Sequence, residues 1–403
     1  MKTLDIYVNK VVPLKFRGQE MSFELSHALF SSFDIDQGSR LLLKAVAGAV
    51  DPVAVGSIID IGSGTGVLGV ACARGYPGST LHMRDRDALA CLFSARNAKR
   101  NKVSPAAVAH ALFLDGLADA GFDLVLCNIP AKAGTPVLDR YLRELPRIVS
   151  DRGYGAIVVV EPIAEASLAS LRGSGAEIMV SEATKGHTAV VFRRGTAWHP
   201  PVDAGSGAAD PLAVYVRSTQ SLRAGKVQYR LDGIWGLPEF DTPSFSSELA
   251  MDLAENAMAG SLVRRAAFVN PGVGRVACHV KARAKGAVID LCGRDALALA
   301  SNAHNLSFSE PGGSAAGLVC AFPDELPEAS YDLFVESPDV VPGVDTIESS
   351  WNTAVRILKR GGSFLAAMSS AAMDRFEKRK PKGFVRIASR KKKGNVCTAW
   401  RLD

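Results

Sequence analysis

The sequence predicts an α/β protein of two tandem domains, each a mostly parallel, doubly wound sheet closed by an antiparallel C-terminal hairpin. Three observations predict it. The chain repeats itself at a domain-sized interval: Arg86-Asp87-Ala88-Leu89-Ala90 recurs as Arg294-Asp295-Ala296-Leu297-Ala298, an offset of 208. Short apolar runs alternate with helical stretches inside each copy. And 403 residues, 47% of them hydrophobic, suffice for two cores.

The repeat is carried by many landmarks in one order. The same offset takes Gly64 and Gly66 onto Gly272 and Gly274, Asn97 onto Asn305, and Lys185-Gly186 onto Lys393-Gly394. An offset of 209 takes Phe122-Asp123-Leu124 onto Tyr331-Asp332-Leu333, and one of 207 takes Phe33-Asp34 onto Phe240-Asp241. A period this long means two domains and not a solenoid. The first domain is expected over 1–197, with N-terminal strands and a covering segment in 1–50. A Pro/Gly/Ser linker is expected over 198–213 and the second domain over 214–403.

In chain order, Leu4–Phe16 and Met21–Leu25 read as a strand pair around Arg17-Gly18. Ser57–Ile61 is a short apolar strand ending in glycines, and Val67–Arg74 starts a helix. Thr80–Met83 is the second strand of the sheet and Ala88–Lys99 its helix. Leu112–Leu114 reads as the third strand, Leu124–Cys127 as the fourth and Ala156–Val160 as the fifth. Glu177–Val180 and Thr188–Phe192 form the closing hairpin. Ala213–Arg217 and Lys226–Leu231 repeat the opening strand pair before the second copy.

Composition narrows the class. No run of about 18 apolar residues predicts a membrane span, and the charged N-terminus does not read as a signal peptide, so the expected compartment is the cytoplasm. The seven cysteines form no C-x-x-C pair and read as small buried hydrophobes. His187 and His279 lack companions at metal-ligand spacing, so no metal is expected. The net charge of +6 is uneven: Lys359–Asp403 holds thirteen Lys and Arg against three Asp and Glu. Such an end is either a solvated hairpin or a footprint for a polyanion, RNA above all.

The candidate cofactor site is Asp60-Ile61-Gly62-Ser63-Gly64-Thr65-Gly66, a strand, a glycine turn and a helix start. Glycines let a ligand lie against the backbone, and the helix N-terminus offers N–H groups to a carboxylate. Gly64 to Gly69 is also a formal G-x-G-x-x-G. A carboxylate at Asp60, where a dinucleotide fold keeps an apolar residue, favours S-adenosylmethionine (SAM) over NAD or a ligand-free loop. Asp85 is placed to accept ribose hydroxyls, while Asp87 caps the next helix. Asp115 either faces an adenine amino group or is a polar turn residue. Asn128-Ile129-Pro130 ends a strand at the sheet edge where such folds bind ligands. An amine attacking a sulfonium methyl must be aimed in line. The Asn128 side-chain oxygen and a carbonyl near Pro130 can accept its hydrogens, so positioning suffices for catalysis. A strand-ending turn is the plain alternative.

These residues resemble the class I SAM-dependent methyltransferases of the small-domain type, and in particular the tandem-domain bacterial rRNA guanine-N2 methyltransferases. Ser26 to Leu43 is similar to that family's F-S-x-x-x-L-D-x-G-S-x-L-L-L segment, Asp60–Gly66 to its motif I, Asp85 to its acidic motif and Asn128-Ile129-Pro130 to its N-P-P-[FYW] motif. The resemblance implies two Rossmann-like domains and transfer of a methyl group from SAM to an exocyclic base nitrogen of rRNA. It implies cofactor contacts by Asp60, Gly62, Ser63, Gly64, Gly66, Asp85, Arg86, Asp115 and Asn128, with Asn128 and Pro130 catalytic. Two departures stand out: Ala131 replaces the aromatic that stacks on the target base, and Ile129 replaces a proline. The family usually keeps its cofactor in the second copy. Here the second copy has Phe268, Gly293 and Ser337 where the first has Asp60, Asp85 and Asn128, so a scaffold or substrate platform is expected there. The alternatives are a methyltransferase acting on a protein amide or small molecule, and a non-catalytic SAM-binding protein. The segment Phe30–Gly38 is expected to close over the cofactor.

Overall fold

The computed structural model describes residues 4–30, 32–199, 212–259, 262–309 and 316–403. The chain divides into two compact units, Met1–Val214 and Tyr215–Asp403. Most of the expected linker, residues 200–211, lies outside the described residues.

The first unit opens with an antiparallel hairpin of β1 (Lys10–Phe16) and β2 (Gln19–Leu25). Arg17 and Gly18 turn it with φ of 46° and 77°, the left-handed geometry of a two-residue hairpin. The strand expected from Leu4 begins later. Asp5–Tyr7 is a 3₁₀ turn, because Leu4 packs on Leu89 and Phe93 and leaves the hairpin plane. After α1 (Gln37–Ala49) come β3 (Ser57–Ile61), α2 (Val67–Gly75), β4 (Thr80–Asp85), α3 (Ala88–Arg100), β5 (Ala107–His110) and β6 (Phe122–Asn128). Then follow α4 (Thr135–Glu144), β7 (Val149–Val160), α5 (Ala164–Gly173), β8 (Glu177–Ala183) and β9 (His187–Arg193). The strand order is β5-β4-β3-β6-β7-β9-β8, with β9 antiparallel to both neighbours.

One strand departs from expectation. The third strand is β5, not Leu112–Leu114. β5 is a half-exposed edge and needs no apolar run, whereas Leu112 and Leu114 are buried from a turn. Asp115 therefore sits in that turn and not at a strand end.

Alternation along the strands sorts the core into two layers. Ile58, Leu124, Leu126, Ala156 and Val158 face α1 and α2, and Ile59, Ile61, Val125, Cys127, Ile157 and Val159 face the layer of α4 and α5. Each fully buried branched side chain contributes roughly 1.5–3 kcal/mol.

The second unit repeats the plan. Its hairpin is β10 (Val216–Ala224) with β11 (Val227–Ile234), again later than expected because Ala213–Tyr215 is a 3₁₀ turn. The elements α6 (Phe245–Met258), β12 (Arg265–Val269), α7 (Arg275–Arg283), β13 (Val288–Cys292), α8 (Ala296–Ser307), β14 (Val319–Cys320) and β15 (Tyr331–Glu336) follow. They lead to α9 (Thr346–Ile357), β16 (Leu358–Ser369), α10 (Ser370–Lys378), β17 (Phe384–Lys392) and β18 (Asn395–Leu402). The strand order β14-β13-β12-β15-β16-β18-β17 is that of the first unit.

Three polar fastenings recur in both units. Asn97 accepts from Glu24 N at 2.8 Å and donates to Glu24 O and Thr65 O, tying hairpin, helix and glycine turn together. Asn305 does the same with Asp232 N, Asp232 O and Val273 O. Asp123 takes the N–H groups of Gly56 and Ser57, as Asp332 takes those of Arg264 and Arg265. Asp87 and Asp295 cap α3 and α8. All seven cysteines are buried with free thiols. Among the described residues no helix is long and apolar enough to cross a membrane, and no cluster of three or more His, Cys, Asp or Glu is arranged to hold a metal.

Candidate active site

β3 and β6 are hydrogen-bonded neighbours whose connections leave toward opposite ends of the sheet, and Ile61 pairs with Cys127. The residues that follow them, Gly62–Gly66 and Asn128–Pro130, therefore flank one crevice at the topological switch point, where open α/β sheets take ligands.

The glycine turn is closed by backbone bonds: Gly62 N and Ser63 N both donate to Arg84 O, and Gly66 N donates to Ser63 O at 2.7 Å. Gly62 and Gly64 have positive φ, and a Cβ at either would meet nothing within 4 Å, so an open cradle lies in front of them. Gly66 is glycine for another reason, since a Cβ there would press on Ser94 Cα at 3.1 Å. Ser63 is buried, with its hydroxyl bonded to that of Ser94 at 2.9 Å, so its side chain braces the turn.

Asp60 is fully buried beneath the turn. Its Oδ2 accepts from Gly69 N at 2.8 Å and its Oδ1 has no hydrogen-bond partner. Burial pushes its carboxyl up to about 7, helped by the Asp85 charge and opposed by the Gly69 N–H. Asp85 accepts from Gly64 N and from Asp87 N, both at 2.8 Å, which locks the carboxylate at the rim of the turn. Its carboxyl is raised by burial against those same N–H groups. Arg86 is half-buried beside it, with its carbonyl 2.9 Å from His110 Nε2. Asp115 is farther along, in a turn pinned by Arg84 Nη2 bonded to the carbonyls of Leu112 and Asp115. Burial raises its carboxyl and Arg84 opposes the shift.

Asn128 is half-buried at the end of β6. Its Nδ2 lies 3.4 Å from Asp36 Oδ1 and 3.5 Å from Ser39 Oγ. Both groups belong to the α1 N-terminus, where Asp36 accepts from Ser39 N at 2.9 Å and from Ser39 Oγ at 2.6 Å. The amide nitrogen is thus turned toward α1, which leaves Oδ1 as the atom facing away from it. Pro130 and Ala131 are exposed at the lip, and the Pro130 carbonyl accepts from Ala133 N at 3.2 Å. His187 lies against the first turn of α1, where a Cβ on Gly38 would come within 2.9 Å of its ring.

Sequence reasoning names both walls of this crevice and expects Phe30–Gly38, which holds Asp36, over the cofactor, but it gives Ser39 and His187 no part in the site. Asp36 and Ser39 are legible as part of the Ser26–Leu43 motif segment; that they cap α1 and that the cap reaches Asn128, 92 residues on, is a product of topology.

In the second unit the turn keeps its shape without its chemistry. Asn270 takes the left-handed φ of 52° at the place of Gly62, its N–H still donating to Cys292 O. Pro271 replaces Ser63 and removes a donor. Phe268 fills the place of Asp60 and is buried in the core. The basic end forms β17 and its turn, where Arg386, Arg390, Lys391, Lys392 and Lys393 are exposed. Phe384 between the basic runs is buried edge-on against Trp351.

Residues 20–187 match the family model described as the methyltransferase small domain. Over 118 residues the chain is 36% identical to the ribosomal RNA large subunit methyltransferase G of Photobacterium profundum, a match spanning 28% of this chain and 30% of that protein. Over 127 residues it is 32% identical to the ribosomal RNA small subunit methyltransferase C of Vibrio cholerae, spanning 31% of this chain and 35% of that one. A match to the Bacillus subtilis protein YbxB, 30% identical over 125 residues, spans 31% of this chain and 61% of that protein. The chain thus covers less than two thirds of each of these relatives. Among solved structures, the T. thermophilus 16S rRNA N2 guanine methyltransferase RsmC, determined with AdoMet and guanosine, superposes over 100% of both chains with a TM-score of 0.69 at 16% identity. At that identity the likeness establishes the fold. The methyltransferase small domain match thus falls within the first unit, and the whole chain takes a tandem fold of two α/β units.

Proposed function

We propose that this chain is a SAM-dependent methyltransferase acting on an exocyclic nitrogen of an rRNA base, with the working site in the first unit. The observation that carries the proposal is the pairing of an open glycine cradle with Asn128, its amide nitrogen held toward Asp36 and Ser39. SAM supplies a methyl group already activated on a sulfonium. The residues fit that cofactor: the cradle at Gly62 and Gly64 receives it, the buried Asp60 carboxylate beneath the cradle attracts its ammonium end, and Asp85 and Arg86 flank its ribose. Ser63 and Gly66 keep the turn in shape, and Asp115 closes the adenine end. Asn128 Oδ1 and a main-chain carbonyl of the Asn128–Pro130 turn accept the hydrogens of the incoming amine and aim its lone pair. The Pro130 carbonyl accepts from Ala133 N and keeps a second lone pair for the amine. Pro130 fixes the direction of the lip.

The second unit we read as a non-catalytic platform. Exposed Arg386, Arg390, Lys391 and Lys393 on and beside β17 supply sequence-blind phosphate contacts. An rRNA substrate places the work in the cytoplasm. The names of the rRNA methyltransferase relatives support the substrate class. Ala131, exposed where a stacking aromatic is expected, favours a second reading, a protein amide or small-molecule substrate. The third, a SAM-binding protein without catalysis, leaves the Asn128 arrangement unused.

The test is transfer from methyl-labelled SAM to rRNA lacking modification. Label is expected in RNA with the native chain and not with Asn128→Ala, which still binds SAM in a calorimetric titration. Label in a protein or small-molecule fraction alone would overturn the RNA reading. SAM binding lost on altering Gly272 and Gly274 but kept in Asp60→Ala would place the site in the second unit and overturn its assignment to the first.

A further inference from the structure

Between β2 and α1, the described residues 26–30 and 32–36 make contacts at both walls of the crevice. At one end Ala28 and Leu29 pack with Leu89 and Phe93 on α3, the helix that begins beside Asp85. At the other, Asp36 and Ser39 meet Asn128. Between these anchors stand two phenylalanines with 75% and 71% of their surface exposed, Phe30 and Phe33. A single exposed Phe is ordinary. Two within four residues, on a segment fastened at both ends, are not explained by packing.

Phe33 is the better defined of the two. Its ring is 5.1 Å from that of His27 at 65°, an edge contact that leaves a face uncovered. Its carbonyl accepts from Lys10 Nζ at 3.1 Å, and the carbonyl before it, Ser32 O, accepts from Asn9 Nδ2 at 2.8 Å. Asn9 Nδ2 also lies 3.1 Å from His27 Nε2. The backbone around Phe33 is therefore braced by two side chains, Lys10 and Asn9, while its ring is held out. Phe33 precedes Asp36 by three residues, so their Cα atoms are within about 11 Å. Asp36 in turn touches the Asn128 amide, so Phe33 stands on the same segment that meets that side chain. On the other side of the crevice the lip residue is Ala131, which has no face to offer.

We propose that Phe33 is the stacking surface for the target base, a flat heteroaromatic ring laid on it with the exocyclic amine pointed at Asn128. The inference rests on the methyltransferase reading of the first unit and specifies its substrate as planar. Every base has a π-face, so such a platform grips without selecting, and Asn128 selects the amine.

The experiment uses the full chain with unmodified rRNA. Phe33→Ala is expected to raise KM for RNA about tenfold, within what base–aromatic stacking supplies. Its kcat and its SAM affinity should stay within about twofold of native, because neither depends on the stacked base. Melting should be unmoved, since the ring is mostly exposed. Phe33→Trp is expected to keep the native KM, and its added indole fluorescence should be quenched by a short RNA containing the target base but not by SAM. If the native chain methylates RNA while Phe33→Ala leaves KM unchanged, or if the Trp variant is not quenched, the inference is wrong and the methyltransferase reading stands. A rise in KM with Phe30→Ala alone would assign the platform to the other ring and overturn it equally. If the native chain binds SAM but methylates no RNA, the substrate reading and this inference fall together.

Discussion

The two units of this chain differ least where they hold themselves together and most where the first would hold a ligand. Asn97 and Asn305 make the same three bonds, Asp123 and Asp332 take the same pair of N–H groups, and Asp87 and Asp295 cap the same helix. Asp60, Asp85 and Asn128 have become Phe268, Gly293 and Ser337. Within one fold, the residues that carry stability and those offered to a ligand are separate sets. The comparison teaches which polar residues to discount. A carboxylate that takes the same two backbone N–H groups in both units, as Asp123 and Asp332 do, is a fastening. One with an unpartnered oxygen beneath an open cradle, as at Asp60, has a cost with no return inside the fold.

The comparison can be broken most sharply at Asn128. Asn128→Ala is expected to cut methyl transfer by roughly 10²–10³-fold, the usual loss when a positioned partner of the reacting group is removed. Ser337→Ala should leave the rate unchanged, and single-turnover assays on both variants decide it. Next, Asn97→Ala and Asn305→Ala should each destabilise their own unit by about 2–4 kcal/mol through unsatisfied buried backbone groups. Denaturant melts would show it, and a large inequality would mean the fastening is not equivalent in the two units.

Asp60 gives a smaller effect with a definite sign. Its folded carboxyl titrates near 7, above the ordinary value of 3.8, so the folded unit holds its proton more tightly than the unfolded chain. Stability of the first unit should therefore fall as pH rises from about 4 to about 7 and level off above. Affinity for the cationic cofactor should move the other way, rising severalfold between about pH 6 and 8 as the carboxylate forms. In Asp60→Asn both slopes should flatten, as read by melting and by titration calorimetry across that range. The smallest effect is expected on β17. Replacing Arg390 and Lys391 by Gln should lower the salt dependence of RNA binding by about one unit of slope for each phosphate no longer neutralised. Filter binding at several salt concentrations measures it.

Much of this is legible in the sequence, for physical reasons. Parallel strands buried on both faces must be apolar runs, so β3 and β6 stand out, and the glycines after β3 mark the ligand end. The edge strand β5 carries Ala-Val-Ala-His and is half-exposed, so the run Leu112–Leu114, which is buried from a turn, reads as the strand in its place. The amphipathic α4 carries no motif and escapes a reading that follows motifs, while the first half of α1 is read as a motif and not as a helix. The meeting of Asp36 with Asn128, and the outward face of Phe33, depend on contacts across the chain that no local pattern encodes.

The placement of β9 has a consequence for how the first unit is made. β9 is the last strand in sequence, yet it lies between β7 and β8, and both its edges are used. As the chain leaves the ribosome, β7 exposes the buried run Ala156–Val159 along an unpaired edge until residues 187–193 have emerged. A chain stopped before Arg193 keeps that edge bare, and a bare apolar edge is a template for self-association. Fragments of this unit should be cut after the hairpin closes and not within it.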